Sequence, residues 1–184
     1  MQNSSVYIIS GEQGSGKTTM LKSIIAELQS KGVKVGGFLA EGSWKNGIRD
    51  GFSLLRIIDS YAIPLCQSKP KEGYFNLGRF WFNPDAIKIG EESLSIDMTK
   101  DMSILVIDEI GIFELQKKVW YNSFMQILNE RRSTLLISVR NKILNDIIHI
   151  FKLSDYSIYT ACDKVSNIIS DISKRLDNKE QVEK

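Results

Sequence analysis

The stretch that decides the fold reads Val6-Tyr7-Ile8-Ile9-Ser10-Gly11-Glu12-Gln13-Gly14-Ser15-Gly16-Lys17-Thr18. Its first five residues are short, mostly apolar and rich in β-branched side chains, which predicts a buried strand. The next eight fit G-x-x-x-x-G-K-[ST] in full. After them Met20, Leu21, Ile24, Ile25 and Leu28 recur at helical spacing, so a helix is expected from Lys17 to about Lys31. A tight turn between a strand and a helix can wrap a polyphosphate with successive backbone N–H groups if side chains stay clear. Gly11, Gly14 and Gly16 meet that need, and the helix start adds its positive dipole end. The expected nucleotide-binding set is therefore Gly11, Glu12, Gln13, Gly14, Ser15, Gly16, Lys17 and Thr18, with Thr19 near the α-phosphate. Lys17 supplies an ammonium for the β- and γ-phosphates, and the Thr18 hydroxyl suits a Mg²⁺ ligand.

Working outward, apolar runs alternate with amphipathic stretches, which predicts an α/β layered domain on a mainly parallel sheet. Strands are expected at 33–40, within 47–58, at 78–82, 103–107, 133–139 and 156–160. Helices are expected from Pro84, over 115–131, over 142–151 and over 163–176. Prolines 64, 70 and 84 and many glycines fall within 42–90, which reads as an irregular insertion of short strands and loops. No linker divides the chain. One domain is expected over 1–177, with a polar tail over 178–184.

Ser103-Ile104-Leu105-Val106-Ile107 reads as the central strand, and it runs into Asp108-Glu109. A parallel sheet aims the C-terminal ends of its strands at the ligand crevice. Two adjacent carboxylates beside a phosphate site repel each other unless a cation lies between them, so the pair itself implies a metal. Asp108 is expected to hold Mg²⁺ through a water, together with Thr18, and Glu109 to orient or deprotonate an attacking water. Lys17 and Glu109 are thus the expected catalytic pair. A carboxylate placed for water favours hydrolysis over transfer to a bound hydroxyl.

Composition narrows the partners. The 184 residues carry 24 Lys+Arg against 22 Asp+Glu, a formal charge of +2, which is too weak to imply nucleic acid or an anionic membrane. Cys66 and Cys162 lie far apart, without metal spacing, and read as thiols of a reducing compartment. One histidine, His149, cannot build a His-rich metal site. Met1 to Ser5 lacks a cationic leader region, and no apolar run is long enough to span a bilayer. A cytoplasmic protein that meets neither membrane nor nucleic acid is expected.

Five stretches recur in order in one family: the phosphate loop, Gly36-Gly37-Phe38-Leu39-Ala40-Glu41, Arg49-Asp50-Gly51-Phe52, Gly78-Arg79-Phe80, and Val106-Ile107-Asp108-Glu109-Ile110-Gly111-Ile112-Phe113-Glu114-Leu115. From Val6 to about Leu176 the chain resembles the THEP1-type nucleoside triphosphatases. The resemblance implies a three-layer P-loop NTPase fold with a mainly parallel central sheet and a small β-hairpin insertion. It implies slow, Mg²⁺-dependent hydrolysis of ATP, GTP and other nucleoside triphosphates to the diphosphate, with little base preference. Lys17 and Thr18 match its phosphate and metal positions, and Asp108 and Glu109 its two carboxylates. The family commonly carries a lysine after the glycine of the carboxylate motif, where Ile112 stands here.

Further residues have open roles. Arg140, at the end of a strand, can sense the γ-phosphate or stand in solvent. Arg79 can act as an internal arginine finger or make a structural ion pair. Glu41 and Arg49 flank a hairpin and are expected to pair across it, and Glu114 to cap the following helix. Trp44, Phe80, Trp81 and Phe82 can pack a core or stack on a base, and Thr160 to Asp163 lie where a base could bind. A nucleoside or nucleotide kinase, and a non-catalytic nucleotide switch, remain the alternative functions.

Overall fold

The computed structural model describes residues 5–130 and 133–182. Nine strands form one sheet: β1 (Val6–Ser10), β2 (Val35–Lys45), β3 (Ile48–Arg56), β4 (Ala62–Gln67), β5 (Phe75–Leu77), β6 (Phe80–Phe82), β7 (Ile104–Ile110), β8 (Thr134–Val139) and β9 (Tyr156–Thr160). Their order across the sheet is β5-β6-β4-β3-β2-β7-β8-β1-β9. From β2 to β9 neighbouring strands run parallel, and from β2 to β5 they run antiparallel. The helices are α1 (Lys17–Ser30), α2 (Pro84–Ser93), α3 (Ile96–Thr99), α4 (Ile112–Leu115), α5 (Tyr121–Glu130), α6 (Leu144–Ile150) and α7 (Val165–Val182), with a 3₁₀ turn over Asn141–Ile143.

Strand period two sorts the core. In β1, Tyr7 and Ile9 point to one face and Val6 and Ile8 to the other. In β7, Ile104 and Val106 part from Leu105 and Ile107 in the same way. The first face packs on Leu21, Ile24 and Leu28 of α1 and Ile168, Ile169 and Ile172 of α7. The second packs on Ala86 of α2, Phe124 and Ile127 of α5 and Ile147 of α6. Among the described residues, no helix is long and apolar enough to cross a membrane.

The structure corrects several expectations. Residues 42–90 hold short strands, as expected, but these are more ordered than an irregular stretch: β2 continues to Lys45 and turns back at Asn46 (φ 50°) and Gly47 (φ 75°) into β3, and β4, β6 and β5 extend the same sheet. Asn-Gly takes positive φ at both positions and so makes the tight hairpin turn that matches strand twist. The helix expected over 115–131 is broken. It splits into α4 and α5 around Lys117 (φ 59°) and Val119 (φ 53°), and Arg131 lies outside the described residues. The break lets Trp120 sink beneath the sheet, 3% exposed, its ring 4.4 Å from that of Phe38. The helix expected from Lys142 starts as the 3₁₀ turn, and Ser10 Oγ donates to Asn141 Oδ1 at 2.5 Å at its first residue. The backbone of α7 stays helical through residues 178–182, where a loose tail was expected. The helix expected from Pro84 is present as α2, and the Asn83 side chain caps it by accepting from the amide of Asp85, with Pro84 in the first turn.

Candidate active site

The phosphate loop follows β1 and opens α1. Gly16 caps the helix at φ 94°, a conformation that strains any residue with a Cβ but not glycine. At Gly11 the loop is close: a Cβ there would lie 2.3 Å from Ser15 Oγ, and that hydroxyl would have to turn aside. Lys17 is 4% exposed, and its ammonium donates to the carbonyls of Gly11 at 3.1 Å and Glu12 at 3.0 Å. A buried cation is thus held by two carbonyls of the loop it belongs to. Ala161 lies against Gly16, so the Thr160–Asp163 loop borders the phosphate loop; Asp163 Oδ2 ties it by accepting from the Thr160 amide at 2.6 Å.

β7 delivers both expected carboxylates to this loop. Asp108 is fully buried. Its Oδ2 accepts from Thr18 Oγ1 at 2.8 Å and from the Ala40 amide at 3.1 Å, and its Oδ1 accepts from Ser138 Oγ at 2.5 Å. Burial pushes its carboxyl up to about 6, opposed by the hydrogen bonds from Ser138 and Thr18. Glu109 Oε1 lies 3.8 Å from Lys17 Nζ, and Arg140 Nε donates to Glu109 Oε2 at 3.3 Å.

The two acids are adjacent in sequence but play different parts because the backbone kinks between them. Glu109 sits at φ 66°, left-handed, and the register of β7 against β8 shifts between Ile107 and Ile110. A non-glycine residue there is strained, and such strain concentrates at functional positions. The Glu109 amide no longer pairs with the neighbouring strand. It donates instead to Ser138 Oγ at 2.8 Å. Ser138 therefore serves both acids. The motifs do not reveal it, yet its signal is present: a lone hydroxyl in the apolar run Leu135 to Val139, at a position that is fully buried.

Thr18 and Asp108 present hard oxygen donors within hydrogen-bond distance of each other. That donor set suits Mg²⁺, and burial raises the Asp108 carboxyl, a cost that a bound divalent cation would offset.

A cavity of about 720 Å³ opens beside Glu109, on the sheet face away from α1. Arg79, Glu109 and Arg140 all line it. Arg79 is exposed, with its guanidinium 4.6 Å from the Phe80 ring centre, and Arg140 is half-buried against Glu109. Glu114 is buried in the cavity wall. It accepts from the amide of Gly111 at 2.8 Å and that of Trp120 at 3.4 Å, so it caps α4 and fixes the bend after it. Burial pushes its carboxyl up to about 7. Glu41 and Arg49 do not pair as expected. Glu41 Oε1 lies 2.6 Å from Lys22 Nζ, while the Arg49 guanidinium sits 4.3 Å from the centre of the exposed Trp44 ring. Phe80 and Phe82 are core, and Cys66 is buried with its thiol pushed up to about 12.

A family model described as NTPase matches residues 6–172. The chain belongs to this NTPase family. Among curated relatives, the nucleoside-triphosphatase THEP1 of Korarchaeum cryptofilum is 29% identical over 161 residues, which is 85% of this chain and 78% of that protein. The nucleoside-triphosphatase THEP1 of Caldivirga maquilingensis is 25% identical over 169 residues, 89% of this chain and 94% of that one. The solution structure of a human cancer-related nucleoside triphosphatase superposes with a TM-score of 0.68 at 23% identity, over 94% of this chain and 97% of that one. The crystal structure of THEP1 from the hyperthermophile Aquifex aeolicus gives 0.68 at 21% identity, over 91% and 98%. At these identities the two structures speak for the fold. The NTPase family membership agrees with the resemblance drawn from the motifs.

Proposed function

We propose that the chain hydrolyses nucleoside triphosphates to the diphosphate and phosphate, with Mg²⁺ as cofactor, slowly and with little base preference. One observation carries this reading: Lys17, Thr18, Asp108 and Glu109, drawn from two distant segments, converge at the mouth of the phosphate loop. The loop amides and Lys17 grip the β- and γ-phosphates. Thr18 and Asp108 would hold the Mg²⁺ ion, which would supply neutralisation of the charge that develops on the phosphates. Glu109 orients a water for in-line attack on the γ-phosphorus. The water oxygen forms the new P–O bond, the bond to the β–γ bridging oxygen breaks, and the diphosphate leaves with that electron pair. Glu109 accepts the water's proton. Arg140 holds the Glu109 carboxylate in place through their 3.3 Å contact, and Arg79 or Arg140 can approach the γ-phosphate as an internal finger.

The fold we assign to this chemistry is the three-layer P-loop type, with residues 42–90 as its β insertion, in a cytoplasmic protein. The cavity beside Glu109 favours one second reading, phosphoryl transfer to a bound hydroxyl.

The test is phosphate release from a panel of nucleoside triphosphates with Mg²⁺ and no acceptor, for the natural protein and Glu109→Gln. A loss of about 10²- to 10⁴-fold with nucleotide binding retained is expected. Equal rates remove Glu109 from the chemistry, and absence of release without an acceptor favours the kinase reading.

A further inference from the structure

No residue of the phosphate loop lines the cavity beside Glu109, so the grip of that loop on a nucleotide leaves its apolar part without a role. Its volume, about 720 Å³, is that of a pocket for a small organic molecule. The apolar part comes from Phe52, Leu65, Phe80, Phe82, Phe113 and Trp120. These rings and chains belong to the antiparallel half of the sheet and to the bend after β7, and none of them grips phosphate. Four cations also line the cavity: Arg79, Lys118, and Arg140 with Lys142 at the end of β8 and in the turn that follows. Two acids oppose them. Glu109 is engaged by Lys17 and Arg140, and Glu114 is taken up by two backbone amides. An apolar body ringed by cations is complementary to a molecule that is apolar at one end and anionic at the other.

We propose that this cavity is a second ligand site, for a small anion with an aromatic or aliphatic body, and that it shares Glu109 with the phosphate site. The ligand's apolar part lies on the phenylalanines and Trp120. Its carboxylate, sulfonate or phosphate meets Lys118, Lys142 and Arg79. Its position beside the γ-phosphate rests on the assignment of Glu109 given above; the binding itself does not.

The probe is 1-anilinonaphthalene-8-sulfonate, an aromatic sulfonate that fluoresces in apolar surroundings, added to the full chain with and without saturating Mg²⁺ and a non-hydrolysable ATP analogue. One probe per chain is expected, still bound when the nucleotide site is filled. The double variant Lys118→Glu/Lys142→Glu, which alters only exposed side chains, should weaken it at least tenfold. Leu65→Trp, which fills the cavity from its floor, should abolish it, with circular dichroism confirming the fold. Displacement of the probe by the ATP analogue, or unchanged affinity in the charge-reversed variant, overturns the proposal. ATP turnover is measured on the same samples. Turnover without probe binding defeats the second site alone, and probe binding without turnover defeats the hydrolytic reading alone.

Discussion

Thr18 Oγ1 donates to Asp108 Oδ2 at 2.8 Å across a sequence separation of 90 residues. One hydroxyl at the start of α1 and one carboxylate at the end of β7 thereby join the phosphate loop to the centre of the sheet. The bond exists because β1 and β7 flank β8 and run parallel, which brings their C-terminal ends side by side.

Asp108→Asn removes the negative charge and keeps the shape. Turnover at fixed Mg²⁺ should fall about 10- to 100-fold, partly restored by raising the metal concentration. Phosphate release across a Mg²⁺ titration reads this, and a curve that overlays the natural one refutes the metal assignment.

Ser138→Ala removes the hydroxyl that Asp108 and the Glu109 amide share. A buried carboxylate oxygen and a buried amide lose their partner, so stability should drop by about 1–3 kcal/mol. Because both acids lose their anchor, turnover should fall more than nucleotide affinity. Denaturant melts and separate KM and kcat values check the two parts.

At Glu109 the left-handed backbone sets up a comparison of two inactive variants. Glu109→Gly and Glu109→Ala lose the same ion pairs, but only glycine relaxes at φ 66°. The glycine variant should be the more stable by about 1 kcal/mol, in opposition to the usual order at a strand position. Thermal unfolding of both decides it.

Glu114 makes stability fall as pH rises. Its carboxyl moves from 4.5 to about 7 on folding, because burial disfavours the charge. Below 4.5 both states are protonated and no penalty exists. Between 4.5 and about 7 the unfolded chain ionises while the folded chain does not, so the unfolded state gains. Asp108 acts in the same direction between 3.8 and about 6. From about pH 6 to 7.5 the natural protein should lose on the order of 1 kcal/mol more than Glu114→Gln. Parallel pH profiles of the two would remove Glu114 as the cause.

Much of the site is legible in the order of residues. Lys17 and Thr18 follow from contiguous positions. Asp108 follows from its place at the end of the most apolar strand. The break around Lys117 and Val119 is not legible, since Leu115 to Glu130 carries apolar residues at helical spacing throughout. What overrides that periodicity is the burial of Trp120 and of the Glu114 carboxylate, whose two amide donors exist only if the helix stops.

Taken alone, the amino-acid order determined the strand, the glycine-spaced loop and the amphipathic helix that bind phosphate. Those are local: neighbouring residues along the chain supply the φ angles, the amides and the apolar period. Only tertiary structure decided that Ser138 anchors both acids, that Glu109 turns left-handed toward Lys17, and that rings from β3 and β6 enclose a cavity next to it. Each of these needs strands far apart in the chain to pair in one register, and a pairing register is a property of the assembled sheet rather than of any segment.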